Sequence, residues 1–347
     1  MEYFRFARFR FELEAESDIH LPVYKGSALR GGFGHAFRKS ACIAKGQECP
    51  DCILRAQCAY AYIFETPPPA DTVIMRKYPH APHPFVIEPP LEPKRHYSPG
   101  ESLGFELVLI GKGMDYFPYF VYAFEELGKI GLGKGKGGYA LRQAYEVNNG
   151  KPALVYDGAK RQLKGKLEAQ TLAGLTEEPL TLPSPARGEG TPHPNPLPQG
   201  ERDALILRFL TPVRIVFEES LAPSLEFHVL IRNLLRRLST LSYFHCGKAL
   251  ELDFKGFITK AQEVQIEKTR LKWHDWERYS NRQETKMKMG GLIGEVVYRG
   301  PWREFLPFLL LGEEVHVGKG TTFGLGKYRI QREEPSPCPL PQGERET

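Results

Sequence analysis

One order of features occurs twice in this chain. Residues 120–143 read FVYAFEELGKIGLGKGKGGYALRQ, and residues 305–331 read FLPFLLLGEEVHVGKGTTFGLGKYRIQ. Each runs from an apolar helix through Leu-Gly and a short connector into a glycine-rich loop and a closing strand. The preceding elements also match in order. In the first half, Tyr3 to Leu13 alternates apolar and polar residues through much of its length, the two-residue period of a strand. Ser27 to Lys39 reads as a glycine-weakened helix with Leu29, Phe33 and Phe37 on one face. Leu103 to Ile110 reads as a strand, Phe117 to Leu127 as a helix and Tyr139 to Val147 as a strand. In the second half, Leu205 to Phe217 is strand-like. Leu225 to Leu241 is an amphipathic helix with Leu230, Leu234, Leu238 and Leu241 on one stripe. Gly294 to Tyr298, Trp302 to Leu311 and Lys327 to Gln331 then read as strand, helix and strand. The repeat predicts a duplicated α+β unit.

At 347 residues the chain is long enough for two domains of roughly 100–200 residues. Two segments look foreign to any packed core. Residues 176–202 and 333–347 are rich in proline and glycine, and the heptapeptide PLPQGER occurs at 196–202 and again at 339–345. Both are expected to be disordered. They carry net charges of −2 and −3, so a chain of +5 overall has a body of +10. A basic body favours polyanionic partners. No apolar run approaches the ~20 residues of a membrane span, and charges interrupt the N-terminal apolar residues, unlike a signal peptide. A cytoplasmic protein with no membrane partner is expected. In that compartment the six cysteines are not a disulfide framework.

Four stretches together resemble one family. They are LPVYKGSALRGGFGHAFRK at 21–39, ECPDCILRAQCAYAYIFE at 48–65, WERYSNRQETKMKMGGLIGEVVYRG at 276–300 and the glycine loop EVHVGKGTTFGLGKYRI at 314–330. The set is similar to the CRISPR-associated RAMP superfamily, and within it to the endoribonucleases that process precursor crRNA. The resemblance implies tandem ferredoxin-like (RRM-like) domains with glycine-rich loops. We divide the chain into an N-terminal ferredoxin-like domain at 1–175 with a cysteine-cluster insertion, the insertion at 176–202, a C-terminal ferredoxin-like RAMP domain at 203–332 and the tail at 333–347. The resemblance also implies cleavage of CRISPR repeat RNA into guide RNAs without a metal cofactor. The 2′-hydroxyl attacks its own phosphate, a base takes its proton, an acid protects the leaving oxygen and a cation steadies the phosphorane. A non-catalytic RAMP subunit that holds guide RNA among CRISPR effector subunits would share the fold. A metal-stabilised structural protein with no RNA role is a third reading.

The candidate residues each have a plain structural alternative. In the loop of Gly318, Lys319, Gly320, Gly324 and Gly326, backbone N–H groups and Lys319 can receive RNA phosphates; the alternative is a tight connection between helix and strand. The first loop, with Lys134 and Lys136, is its poorer copy. Residues 268–288 interleave cations with aromatics, Arg278 and Arg282 foremost, as phosphate pairing and base stacking require; the alternative is a solvated face. Cys42, Cys49, Cys52 and Cys58 form a knuckle suited to structural zinc ahead of an iron–sulfur cluster, or are simply buried thiols. His35, beside Arg30 and Arg38 on the first helix, is the leading acid–base candidate. His316 comes second, with Lys319 in the same catalytic set, and His245 third.

Overall fold

The computed structural model describes residues 1–44, 47–69, 72, 80–148, 150–176, 204–280 and 285–331, with the backbone alone at 277–280 and 285–288. The expected insertion, save Thr176, and the expected tail lie outside the described residues.

The first unit runs β1 (Phe6–Ala15), α1 (Gly26–Ala41), β2 (Phe85–Glu88), β3 (Ser102–Ile110), α2 (Phe117–Ile130), β4 (Tyr139–Asn148), β5 (Lys151–Asp157) and β6 (Gln162–Leu163). Its antiparallel sheet has the order β2-β3-β1-β4-β5-β6. The second unit runs β7 (Ala204–Val213), α3 (Phe227–His245), α4 (Phe254–Ala261), β8 (Gln265–Thr269), β9 (Lys272–His274), β10 (Gly291–Arg299), α5 (Leu306–Val315) and β11 (Tyr328–Gln331). Its sheet has the order β8-β10-β7-β11, with β9 also on β10. In the first unit β1 lies between β3 and β4 with β2 outside β3; in the second β7 lies between β10 and β11, with β8 and β9 outside β10. That is the split βαβ arrangement of a ferredoxin-like domain, and the chain is an α+β protein with two of them.

Strand alternation decides how the units meet. On one face of the first sheet, Phe9, Phe11, Phe85, Ile87, Leu107 and Leu109 pack with α1 and α2. Each such phenylalanine stabilises by about 1.5–3 kcal/mol on burial. On the other face, Phe6, Val86, Val108 and Ile110 join the core of the second unit. Register places Val86 and Arg8 opposite Val108, and Glu88 opposite Glu106, so the charged residues of this face cluster beside its apolar ones.

Residues 67–93 are rich in proline, yet β2 lies within them. All four residues of β2 are buried, because one face meets α1 and the other meets the second unit. The long strand read as 205–217 ends at Val213, and Val216–Phe217 forms a separate small pairing with Ser220–Leu221. No described helix is long and apolar enough to cross a membrane.

Candidate active site

Helix α1 is built for close approach. Interior glycines cost a helix about 0.5–1 kcal/mol each, yet α1 keeps Gly31, Gly32 and Gly34. A Cβ at Gly32 would stand 2.8 Å from Leu127 of α2, and one at Gly34 would enter the Phe64 ring. At the start of the helix, a Cβ on Gly26 would collide with the Phe323 carbonyl of the second glycine loop. Leu29, Phe33 and Phe37 face the core, with Phe33 stacked on Phe120 at 4.7 Å. The opposite stripe of Ser27, Arg30, Gly31, Gly34, His35 and Arg38 lines a cavity of about 810 Å³.

Three other segments complete this cavity: Phe64 and Glu65, then His80 and His83, then the first glycine loop with Gly131, Gly133 and Lys136. The Arg30 guanidinium lies 4.2 Å from the centroid of Phe64 and 4.9 Å from that of Phe323, so aromatic faces from both units hold it. His35, Arg38 and Lys136 are exposed. His83 is different. Burial, with Arg30 beside it, pushes its imidazole down to about 3, and its Nδ1 lies 2.7 Å from Thr66 Oγ1. Cations and imidazoles so placed suit a phosphodiester: the cations attract it, and the exposed imidazole of His35 can move a proton.

The structure thus brings together His35, Arg30, Arg38 and Lys136 of the residues singled out from sequence. Lys134 and Lys319 are exposed on the two glycine loops, outside the cavity lining. Sequence reading missed His80 and His83. The HAPHP run carries them at i and i+3 between prolines, without a helix or strand period to mark it.

Several expectations are corrected. His316 is fully buried, with Nε2 at 2.9 Å from Glu88 Oε1 and Nδ1 at 3.1 Å from the Leu325 carbonyl. Burial lowers its pKa, partly offset by Glu88. It sits in the seam between the units, away from any surface that RNA could touch. His245 is likewise buried: Nε2 donates to the Pro82 carbonyl at 2.7 Å and Nδ1 accepts from Tyr62 Oη at 2.8 Å. Burial pushes it to about 4. In the second glycine loop, Gly324 N–H bonds Thr321 O and Gly326 N–H bonds Pro212 O, so neither is available to a phosphate. Glycine is needed there for geometry. Gly318, Gly320, Gly324 and Gly326 all have positive φ, and a Cβ on Gly326 would run into the Val317 carbonyl. The loop is mainly a seam, fastened to the first unit where Tyr24 Oη donates to Phe323 O at 2.8 Å.

The cysteine ligand set is not assembled either. Among the described residues no three His, Cys, Asp or Glu side chains converge on a point that a metal ion could take. Cys42, Cys49, Cys52 and Cys58 are half-buried free thiols; Cys49 and Cys58 pack against the first core, and burial pushes the Cys49 thiol up. These residues do not fit a metal centre as arranged. Arg282 lies outside the described residues. Of Arg278 only the backbone is described, in a hairpin of Glu277–Ser280 with Thr285–Lys288.

The structure has two ferredoxin-like units joined through a glycine loop, with a basic, histidine-bearing cavity alongside. Comparison with known proteins narrows this. Residues 207–328 match the family model of the CRISPR-associated endoribonuclease Cas6, and residues 4–168 match a family model described as an N-terminal domain. The second half of the chain is thus similar to the Cas6 endoribonuclease domain, and the first half to that N-terminal domain. An uncharacterised protein of Archaeoglobus fulgidus is 28% identical over 139 residues, 40% of this chain and 45% of that protein. The match therefore spans under half the length of that curated relative. A Cas6 product complex superposes with a TM-score of 0.55 at 16% identity, covering 94% of this chain and 99% of the other. Thermus thermophilus Cas6 gives 0.50 at 15%, with 94% and 99% covered. A partial Cas6-RT-Cas1–Cas2 complex gives 0.54 at 15%, with 95% of this chain and 46% of that one covered. At these identities the structural likeness speaks for the fold.

Proposed function

We propose that this protein cuts CRISPR repeat RNA in the cavity beside α1, releasing guide RNAs. A ribose 2′-hydroxyl attacks its own phosphate, and no metal takes part in the chemistry. The observation that carries this reading is the convergence of His35 with Arg30, Arg38 and Lys136 on one cavity. The nucleophile belongs to the substrate. The protein has only to hold the phosphate in line, steady the phosphorane and move two protons. Arg38 and Lys136 face the charge that develops on the phosphorane, and His35 supplies proton transfer. Lys134 and Lys319 extend the positive track along the flanking RNA. The Cas6 domain match supports repeat RNA as the partner, and the solved complex of a Cas6-containing chain with Cas1 and Cas2 supports other CRISPR proteins as further partners.

The test is incubation of the whole chain with a panel of CRISPR repeat RNAs in excess EDTA. Cleavage leaving a 2′,3′-cyclic phosphate and a 5′-hydroxyl is expected. A deoxy substitution at the nucleotide preceding the cut should abolish cleavage and leave affinity nearly unchanged. Cutting that needs magnesium would overturn the mechanism. Tight binding without cutting would instead support a guide-holding subunit.

A further inference from the structure

The reaction needs two proton transfers, one off the 2′-hydroxyl and one onto the leaving 5′-oxygen, and α1 brings one histidine to the cavity. Two more, His80 and His83, line the same cavity. His83 is half-buried beside Arg30 and its Nδ1 is taken up by Thr66, so it belongs to the packing.

His80 is placed otherwise. Its ring is exposed, and its Nδ1 lies 2.6 Å from the Glu65 carbonyl oxygen. A carbonyl oxygen only accepts, so Nδ1 carries the hydrogen. In the neutral ring Nε2 then bears an unshared lone pair. An imidazole oriented by a backbone carbonyl, with the other nitrogen free, is prepared to take a proton. The backbone beside it is fixed too: Ala81 is buried, and its N–H bonds the Thr66 carbonyl at 2.8 Å. One short segment therefore orients His80 through Glu65 and backs the Arg30 guanidinium through Phe64. Such support lets an acid–base group act without reorganising.

We propose that His80 is the general base of the cleavage reaction and His35 the general acid, both lining the α1 cavity. This rests on the reading that the cavity cleaves RNA. Nε2 of His80 takes the 2′-hydroxyl proton as the 2′-oxygen bonds to phosphorus. The bond from phosphorus to the 5′-oxygen breaks, and that oxygen receives its proton from the His35 imidazolium. The products are a 2′,3′-cyclic phosphate and a 5′-hydroxyl, with His80 protonated and His35 neutral. Exchange with water resets both.

Single-turnover cleavage of the repeat RNA that wild type cuts, with affinity measured in parallel, tests this. His80→Ala should slow cleavage by ~10²–10⁴-fold, the usual worth of an acid–base group, with little change in Kd. His80→Asn keeps an N–H donor near the Glu65 carbonyl but has no basic nitrogen, so it should be as slow as His80→Ala. A substrate with sulfur in place of the bridging 5′-oxygen leaves without protonation. It should restore His35→Ala and fail to restore His80→Ala. Near-normal cutting by His80→Asn would mean that the residue only holds the segment, and rescue of His80→Ala by the sulfur substrate would reverse its role. Either would overturn the assignment while wild-type cleavage stands. Wild type that cuts no repeat RNA would overturn the underlying reading instead.

Discussion

Arg8 donates from Nη2 to Glu314 Oε2 at 2.7 Å, an ion pair that joins β1 of the first unit to α5 of the second. The same guanidinium reaches Glu88 at 2.9 Å and Glu106 at 2.5 Å, while Glu88 also meets His316 and Lys327. Glu88 is fully buried; its removal from water opposes ionisation, but Arg8, His316 and Lys327 hold its carboxyl well below the usual range. The charges are therefore paired across the seam rather than scattered over it.

Arg8→Ala would leave Glu88, Glu106 and Glu314 without their common cation. Removing one partner from a buried ion network costs about 3–5 kcal/mol. Urea unfolding should show a loss of that order. A loss below ~1 kcal/mol would mean that the network is solvated and does not hold the units together.

Gly26→Ala places a methyl against the Phe323 carbonyl, with backbone on both sides of the contact. The helix or the glycine loop must shift, and Arg30 would lose its seat between Phe64 and Phe323. Stability should fall by about 1–3 kcal/mol, the usual cost of overpacking, and RNA affinity should fall with it. Unchanged unfolding and binding would show that the seam is loose.

Stability should also depend on pH between about 6.5 and 4. Burial depresses His245 to about 4 and His83 to about 3, against 6.5 in an unfolded chain. Unfolding in that window therefore takes up protons. Both groups contribute fully above pH 6.5, and their contribution is lost as pH falls toward the folded values, by up to about 1.4 kcal/mol per pH unit for each. Thermal unfolding should show a lower Tm at pH 5 than at pH 7.5. His245→Gln, which keeps a donor for the Pro82 carbonyl, should show a shallower decline. An identical slope in wild type and variant would contradict this assignment.

The parts of the molecule that sequence revealed are those whose signal is local. Leu29, Phe33 and Phe37 repeat along α1 and mark its core face, which leaves Arg30, His35 and Arg38 on the exposed stripe. The alternation of β1 and the two glycine loops were equally legible. Strand β2 was not, because FVIE is short, lies among prolines and ends in a carboxylate whose partners, Arg8, His316 and Lys327, are all far away in sequence. His316 misled for a related reason. It stands next to a glycine loop in sequence, but its partner Glu88 lies 228 residues away, and only the fold shows that the ring points into the seam. His80 was hidden because its identity as a base depends on one carbonyl contact.

RNA binding should be strongly salt-dependent. Arg38→Ala and Lys136→Ala should each weaken binding and lower the slope of log K against log salt by roughly 0.7–0.9, the value of one phosphate contact. Filter binding with a repeat RNA at several salt concentrations checks this. Unchanged slopes in both variants would place the RNA elsewhere on the protein.

The most direct test of the cavity as the place of cutting is the single-turnover cleavage rate of His35→Ala in excess EDTA, measured with Kd for the same repeat RNA. His35 is exposed and does not belong to the core, so the variant should fold normally. The rate should fall by ~10²–10⁴-fold while Kd stays within a few-fold of wild type. Cleavage by His35→Ala at the wild-type rate would contradict the account, because the chemistry would then have to lie outside the α1 cavity or proceed there without this imidazole.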